Sequence, residues 1–384
     1  MAVYELDAFL RLSAVLNYQL SAHAIGSGNI VALLLGDQRL PAKQRDTLLA
    51  TLQYLGRAYG RKRRRLGPLA ILHPIRATAL LTRANDRVDL LDLLSGLLHD
   101  KLEDISAEDF PPDVWRELEE EFHGILKRVE PTDEWFLMER LELLKKQEHG
   151  QTYCQYIGKM LGEEKQMSDL IRVKLADRLD NTLDMRVDIH DPLEGVDFFS
   201  HIFELLFVRS YGGYKPVLEH PPRSPINGAQ RLYELFKNTV LLSLIRQRTD
   251  ASKDPAASRL FHAIAVASMK EAQRTIMHIF GYHITDLSQQ KRILEDAMAY
   301  CLLGGFDVIT TPRQEQKLDG LFTRCFDYDD SEIRGERLQG LYKDKPLMVQ
   351  ASIAFIVIFL SFLGDEKFHV RGITPKGIRP QSAG

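Results

Sequence analysis

The chain has 384 residues, enough for a well-buried core and, by the usual size of domains, for roughly two of them. Hydrophobic residues make up 45% and charged residues 27%, with a formal net charge of −3, so the global basic excess of a nucleic-acid-binding chain is lacking and no specific nucleic-acid partner is expected. Cys154, Cys301 and Cys325 lie far apart without a C-x-x-C spacing, which supports neither a disulfide framework nor a thiolate zinc site and fits a reducing cytoplasm.

The first residues, MAVYELDAFLRLSAVLNYQL, carry Glu5 and Asp7 where a signal peptide needs positive charge, so they read as an amphipathic helix and secretion is not expected. Apolar residues then recur at helical spacing through 45–58, 88–98, 113–126, 152–161 and 168–187. Strand signals are scarce, and the fold class expected is all-α. The stretch 211–227, YGGYKPVLEHPPRSPIN, concentrates Gly and Pro where no helix runs uninterrupted, and reads as a linker. Helical periodicity returns in 228–247, 256–281, 286–304 and 346–363, while the tail GITPKGIRPQSAG reads as loose. The expected domains are therefore 1–210, a linker at 211–227, a helical accessory domain at 228–371 and a tail at 372–384. Residues 347–363 run without a charge, at the lower limit for crossing a bilayer. They read as a buried core helix, with membrane contact through 347–363 as the alternative.

Chemistry concentrates in the first half. In SGLLHDKLEDI, residues 95–105, an apolar helix suddenly carries His99, Asp100, Glu103 and Asp104. His73, in AILHPIRATALL, is followed by Pro74, which is tolerated in the first turn of a helix; the histidine is thus placed at a helix start with an apolar stripe behind it. Asp177 lies in the apolar helical segment IRVKLADRLDN, where an isolated buried carboxylate would cost several kcal/mol unless paired or bound to a cation. His73, His99, Asp100 and Asp177 together offer two imidazoles and two carboxylates from three helices, a set suited to manganese, iron, cobalt or zinc. Glu103 and Asp104, one turn beyond, are placed to orient or deprotonate a water.

The order H…HDxxED…D resembles the HD-domain metal-dependent phosphohydrolases. Arg64 and Gly67 before ILHP, then GLLHDKLEDI, then VKLADRLDN, are similar in wording to the hydrolase domain of RelA/SpoT alarmone proteins over roughly residues 45 to 190. The resemblance implies an all-α HD-domain helical bundle, with His73, His99, Asp100 and Asp177 as metal ligands. It implies Glu103 and Asp104 as the water-activating pair, and Arg64 with Asn181 as nucleotide contacts. The implied reaction removes pyrophosphate from the 3′ position of guanosine tetra- or pentaphosphate, with Mn2+ as the cofactor. Where those hydrolases carry a histidine before the asparagine and a threonine three residues after it, this chain has Asp180 and Asp184, closer to small HD proteins related to them. That leaves another nucleotide or phosphoester open as substrate, and a non-catalytic HD sensor or interaction module as the reading from another class. Nothing after residue 190 resembles an alarmone synthetase domain.

The run GRKRRRLG, 60–67, reads as a solvated loop face, as phosphate recognition ahead of His73, or as a nonspecific nucleic-acid contact. Lys101 is equally a candidate substrate contact or a solvent-facing lysine, and Lys174 and Arg178 are candidate ion-pair partners of the acidic cluster. The second HD pair, His190–Asp191, precedes Pro192 and reads as a loop. His262, His278 and His283 read as core or surface histidines. DFFSHIFELLFVRSYGGY, 197–214, reads as a core helix, with a base-stacking platform as its alternative. A homo-oligomer is left open.

Overall fold

The structure, a computed structural model, describes residues 6–21, 27–64, 67–146, 150–163, 170–185, 191–248, 254–303, 308–313 and 315–379. Among them the chain is all-α apart from one two-stranded ribbon. It divides into two units. The first comprises Met1–Lys146, Lys159–Asp184 and Lys253–Ala263; the second comprises Gln147–Gly158, Met185–Ser252 and Ile264–Gly384. The division therefore does not fall at 211–227. That Gly/Pro-rich stretch lies within the second unit, because turn chemistry breaks helices without separating cores.

The first unit opens with α1 (Leu6–Ser21) and α2 (Ser27–Leu35), followed by α3 (Ala42–Tyr59), which ends at Gly60 with φ of 49°. Next come α4 (Leu72–Ala84), α5 (Leu90–Leu98) and the single turn α6 (Lys101–Asp104). Then α7 (Pro112–Leu126) and α8 (Pro131–Leu144) each place proline in the first turn, where a missing N–H costs nothing. Two further helices are α9 (Tyr153–Glu163), which belongs to this unit only from Lys159 on, and α10 (Leu170–Asp184). Every residue of α4 except Arg83 is buried, because α1, α2, α5 and α10 all pack around it. A helix apolar or internally paired on all sides is the expected occupant of such a position.

The second unit continues with α11 (Phe198–Phe207), α12 (Gly228–Arg246), the later part of α13 (Pro255–Tyr282), α14 (Leu287–Leu302), α15 (Leu321–Cys325), α16 (Ser331–Lys343) and α17 (Lys345–Gly364). Asn227 and Gln230 close a capping box at the start of α12. Helix α17 is long and apolar enough to cross a membrane, but about two thirds of it is buried, against α12, α14 and α16.

Residues 372–379 are not loose. Ile373–Thr374 (β1) and Gly377–Ile378 (β2) pair antiparallel, Ile373 is buried, and the Ile378 amide donates to Asp327 Oδ2 at 3.1 Å. Gly158 makes room for this ribbon, since a Cβ there would lie 2.3 Å from the Pro375 carbonyl oxygen. In α11, Phe198, His201, Leu205 and Leu206 face inward, whereas Phe199, Phe203 and Phe207 are 53%, 60% and 69% exposed. The aromatic segment is thus half-exposed rather than a core helix. All three cysteines are free. Met1–Glu5, His190 and the last five residues lie outside the described residues.

Candidate metal centre

Three local features bring the site together within the first unit. His73 sits in the first turn of α4, with its amide donating to the Ala70 carbonyl at 3.1 Å. Helix α5 is started by Asp89, whose side chain accepts from the Asp92 amide at 2.7 Å, and stops at Leu98; His99 and Asp100 form the turn into α6. Leaving the helix there lets two adjacent residues aim at one point. Asp177 comes from the middle of α10, which packs along α4.

His73 Nε2 and His99 Nε2 lie 3.1 Å apart. Asp177 Oδ1 is 3.2 Å from the first and 3.8 Å from the second, and Asp100 Oδ2 is 3.2 and 3.3 Å from them. His73, His99 and Asp177 are buried, and their ligand atoms all lie within 4.8 Å of one another.

The other ring nitrogen of each histidine decides what these contacts mean. His99 Nδ1 is 2.8 Å from the Gly96 carbonyl oxygen, which can only accept, so Nδ1 carries the proton. His73 Nδ1 is 2.6 Å from Asp180 Oδ2, again an acceptor. Both neutral imidazoles therefore present Nε2 lone pairs to each other and to two carboxylates. That arrangement is stable only with a cation among them, whether protons on the imidazoles or a metal ion. Without metal, burial and the Arg64 charge push the His73 pKa down, but Asp100, Asp177 and Asp180 outweigh them and raise it to about 9. His99 is raised against its burial by Asp100 and Asp177. Against burial in turn, the histidines hold Asp100 low, and Lys174 with the histidines holds Asp177 low. The donor set fits a metal: two imidazole nitrogens and carboxylate oxygens, each histidine fixed in tautomer by a partner on its far side.

Asp180, which the sequence comparison treats only as a departure at the substrate side, is the partner that orients His73. It is fully buried, accepts from Arg76 Nε at 2.8 Å and Nη2 at 3.0 Å, and shares Arg76 with Asp184, 2.9 Å away. Arg76 is itself buried, with its guanidinium 4.9 Å from the Phe9 ring centroid. These three residues were legible only as i+3 and i+7 companions of Asp177 on α10, Asp180 and Asp184, and as a stray charge in apolar α4, Arg76. Lys174 pairs with Asp177 Oδ2 at 2.8 Å, the structural role open to it from spacing, and Arg178 is buried.

Arg64 is held by a narrow hairpin in which Arg63 bridges Leu69 and Gly67 adopts φ of 98°. Its Nη2 donates to Asn181 Oδ1 at 2.6 Å, and Asn181 Nδ2 donates to Asp177 Oδ1 at 2.5 Å. Arg64 and Asn181 are thus joined to the ligand set. Asp104 accepts from the Tyr59 hydroxyl at 3.1 Å, and Glu103 accepts from the Lys146 amide. Desolvation and the charge of Asp100 raise the pKa of both carboxyls, although Glu103 keeps an exposed side. Lys101 is not at the site. It is buried, pairs with Glu119 at 2.9 Å and lies 4.2 Å from the Phe122 ring centroid, because one residue beyond Asp100 points to a different face.

No protein-family model and no curated protein matches this chain.

Proposed function

We propose that this chain is an HD-type metal-dependent phosphohydrolase, acting on a guanosine polyphosphate bearing a 3′-pyrophosphate, with Mn2+ as the cofactor. The observation that supports it is the pair of Nε2 lone pairs 3.1 Å apart, faced by Asp100 and Asp177 and followed by a separate pair of acids. His73, His99, Asp100 and Asp177 would hold the ion. When bound, it supplies positive charge for a phosphoryl oxygen and lowers the pKa of water.

The chain's own residues do the rest. Asp180 and the Gly96 carbonyl keep both imidazoles turned toward the site. Glu103 and Asp104, raised in pKa and therefore better bases, take the proton from the attacking water as its oxygen bonds to phosphorus, and return it to the 3′ oxygen as the P–O bond to that oxygen breaks, releasing pyrophosphate and a 3′-hydroxyl. Arg64, part-exposed beside Asn181, offers its charge to the phosphates.

The test is hydrolysis of guanosine tetraphosphate against a panel of nucleotides and phosphoesters with manganese, in wild-type, Asp100→Ala and Glu103→Gln chains. Asp100→Ala is expected to lose manganese binding and turnover, and Glu103→Gln turnover alone. Full retention of both by Asp100→Ala would sink the metal-site reading. Manganese binding with no turnover of any substrate would leave a non-catalytic module.

A further inference from the structure

The second unit contains a cavity of about 130 Å³ lined by residues at the start of α12, along α13 and at the start of α17. That is room for about four waters, or for one small ligand. Arg231 of α12, Arg274 and His278 of α13, His283 just after it and Lys345 of α17 line it, and Glu271 is the one carboxylate among its described lining residues. Ile226, Ile279 and Met348 form an apolar wall.

These cations are held in place. Fully buried Glu271 accepts from Arg231 at 2.7 Å and from Arg274 at 3.0 Å. Arg231 also donates to Ser224 Oγ at 3.0 Å, and Arg274 Nε to Asp191 Oδ1 at 2.9 Å. Lys345 donates to the Tyr342 carbonyl at 2.7 Å. Both guanidiniums also donate to the Met185 carbonyl, Arg231 at 2.5 Å and Arg274 at 3.3 Å, so they act on a ligand chiefly through their charge. Burial, His283 and the charges of Arg231, Lys345 and Arg274 push His278 down to about 4, so the field inside the cavity is positive. Gly228 opens α12 on the same wall, adding the positive end of that helix.

We propose that this cavity binds a small phosphate monoester, its phosphoryl group among Lys345, Arg231, His278 and the start of α12 and its organic part against Ile226, Ile279 and Met348. A tetrahedral dianion accepts hydrogen bonds from several directions, which suits donors arriving from three helices. The site lies wholly within the second unit and stands independently of the metal centre.

The experiment uses the full-length chain, titrated calorimetrically with inorganic phosphate and with ethyl phosphate at ionic strength matched by sodium chloride, while the His278 and His283 imidazole signals are followed by NMR. Expected are saturable binding, upward shifts of both histidine pKa values, and tighter binding of ethyl phosphate. Lys345→Met and His278→Gln are each expected to weaken phosphate binding by about tenfold, the loss of one charge-assisted contact, whereas Lys291→Gln on exposed α14 surface leaves it unchanged. The absence of both heat and histidine shifts in the folded wild-type chain overturns the proposal, as does unchanged affinity in both folded variants. Ethyl phosphate binding no tighter than inorganic phosphate overturns the assignment of an organic ester. The wild-type histidine shifts decide the matter even where a variant does not fold.

Discussion

Asp180 serves three partners, His73 Nδ1, the buried Arg76 guanidinium and, at 3.5 Å, the Arg64 guanidinium, so its removal is felt at each. In Asp180→Asn, Arg76 loses half of its anionic shell, a change of about 3–5 kcal/mol in denaturant unfolding. Manganese affinity, read by titration, is expected to fall by roughly 10–100-fold because nothing fixes the His73 tautomer. Asp184→Asn is the control: it shares Arg76 and, at 3.8 Å, Arg64 with Asp180 but does not touch His73, so stability falls while manganese affinity holds. Equal loss of manganese in both variants would refute the orienting role. The candidate ligands were readable in the sequence from the full order H…HDxxED…D rather than from the HD pair alone, which recurs at His190–Asp191. Asp180 was not, because its role exists only once α4 and α10 lie side by side. Lys101 misleads for the same reason: membership of a motif says nothing about which way a side chain leaves the turn.

Helix placement depends on one close approach. A Cβ on Gly96 would lie 2.7 Å from Thr78 Oγ1, and that hydroxyl is fixed by its bond to the Pro74 carbonyl at 2.7 Å. Threonine is stiff at χ1, so Gly96→Ala must push α5 from α4 and carry His99 with it. The expected cost is about 1–3 kcal/mol in thermal unfolding, together with weaker manganese binding. Gly335→Ala, inside α16 with nothing within 4 Å, should instead stabilise by roughly 0.5–1 kcal/mol. If Gly96→Ala also stabilises, the α4–α5 contact is looser than described. Elements with strong periodicity, such as α3, α7 and α12, were legible to within a few residues. Helices α2, α8 and α16 were not: α2 is short and apolar, while α8 and α16 lack a clean apolar stripe, so their placement comes from tertiary packing.

At the scale of the whole molecule, the all-α class was readable because strand patterns are scarce, but the partition into units was not. Contacts from 147–158 and 253–263, far along the chain from the cores they join, are invisible to local pattern. The metal centre nonetheless makes itself felt in the stability of the chain as a whole, through protons. Stripped of metal, folded His73 titrates at about 9 against an ordinary value of 6.5, so the folded state holds the extra proton between those limits. Its contribution is therefore complete below about pH 6.5 and lost as pH rises to about 9, an effect on the order of 3 kcal/mol. The lowered Asp100, Asp177 and Asp180 act oppositely, stabilising above the ordinary carboxylate range and failing as pH falls below it. Chelator-treated protein should thus be most stable between about pH 4 and 6.5. Metal ligation requires the same imidazoles to be deprotonated, so the stabilisation added by manganese should grow as pH rises from 6.5 toward 9. Urea unfolding of chelated and manganese-loaded chains across that range checks both slopes, and a manganese increment that shrinks with rising pH would mean that the ion does not bind at His73 and His99.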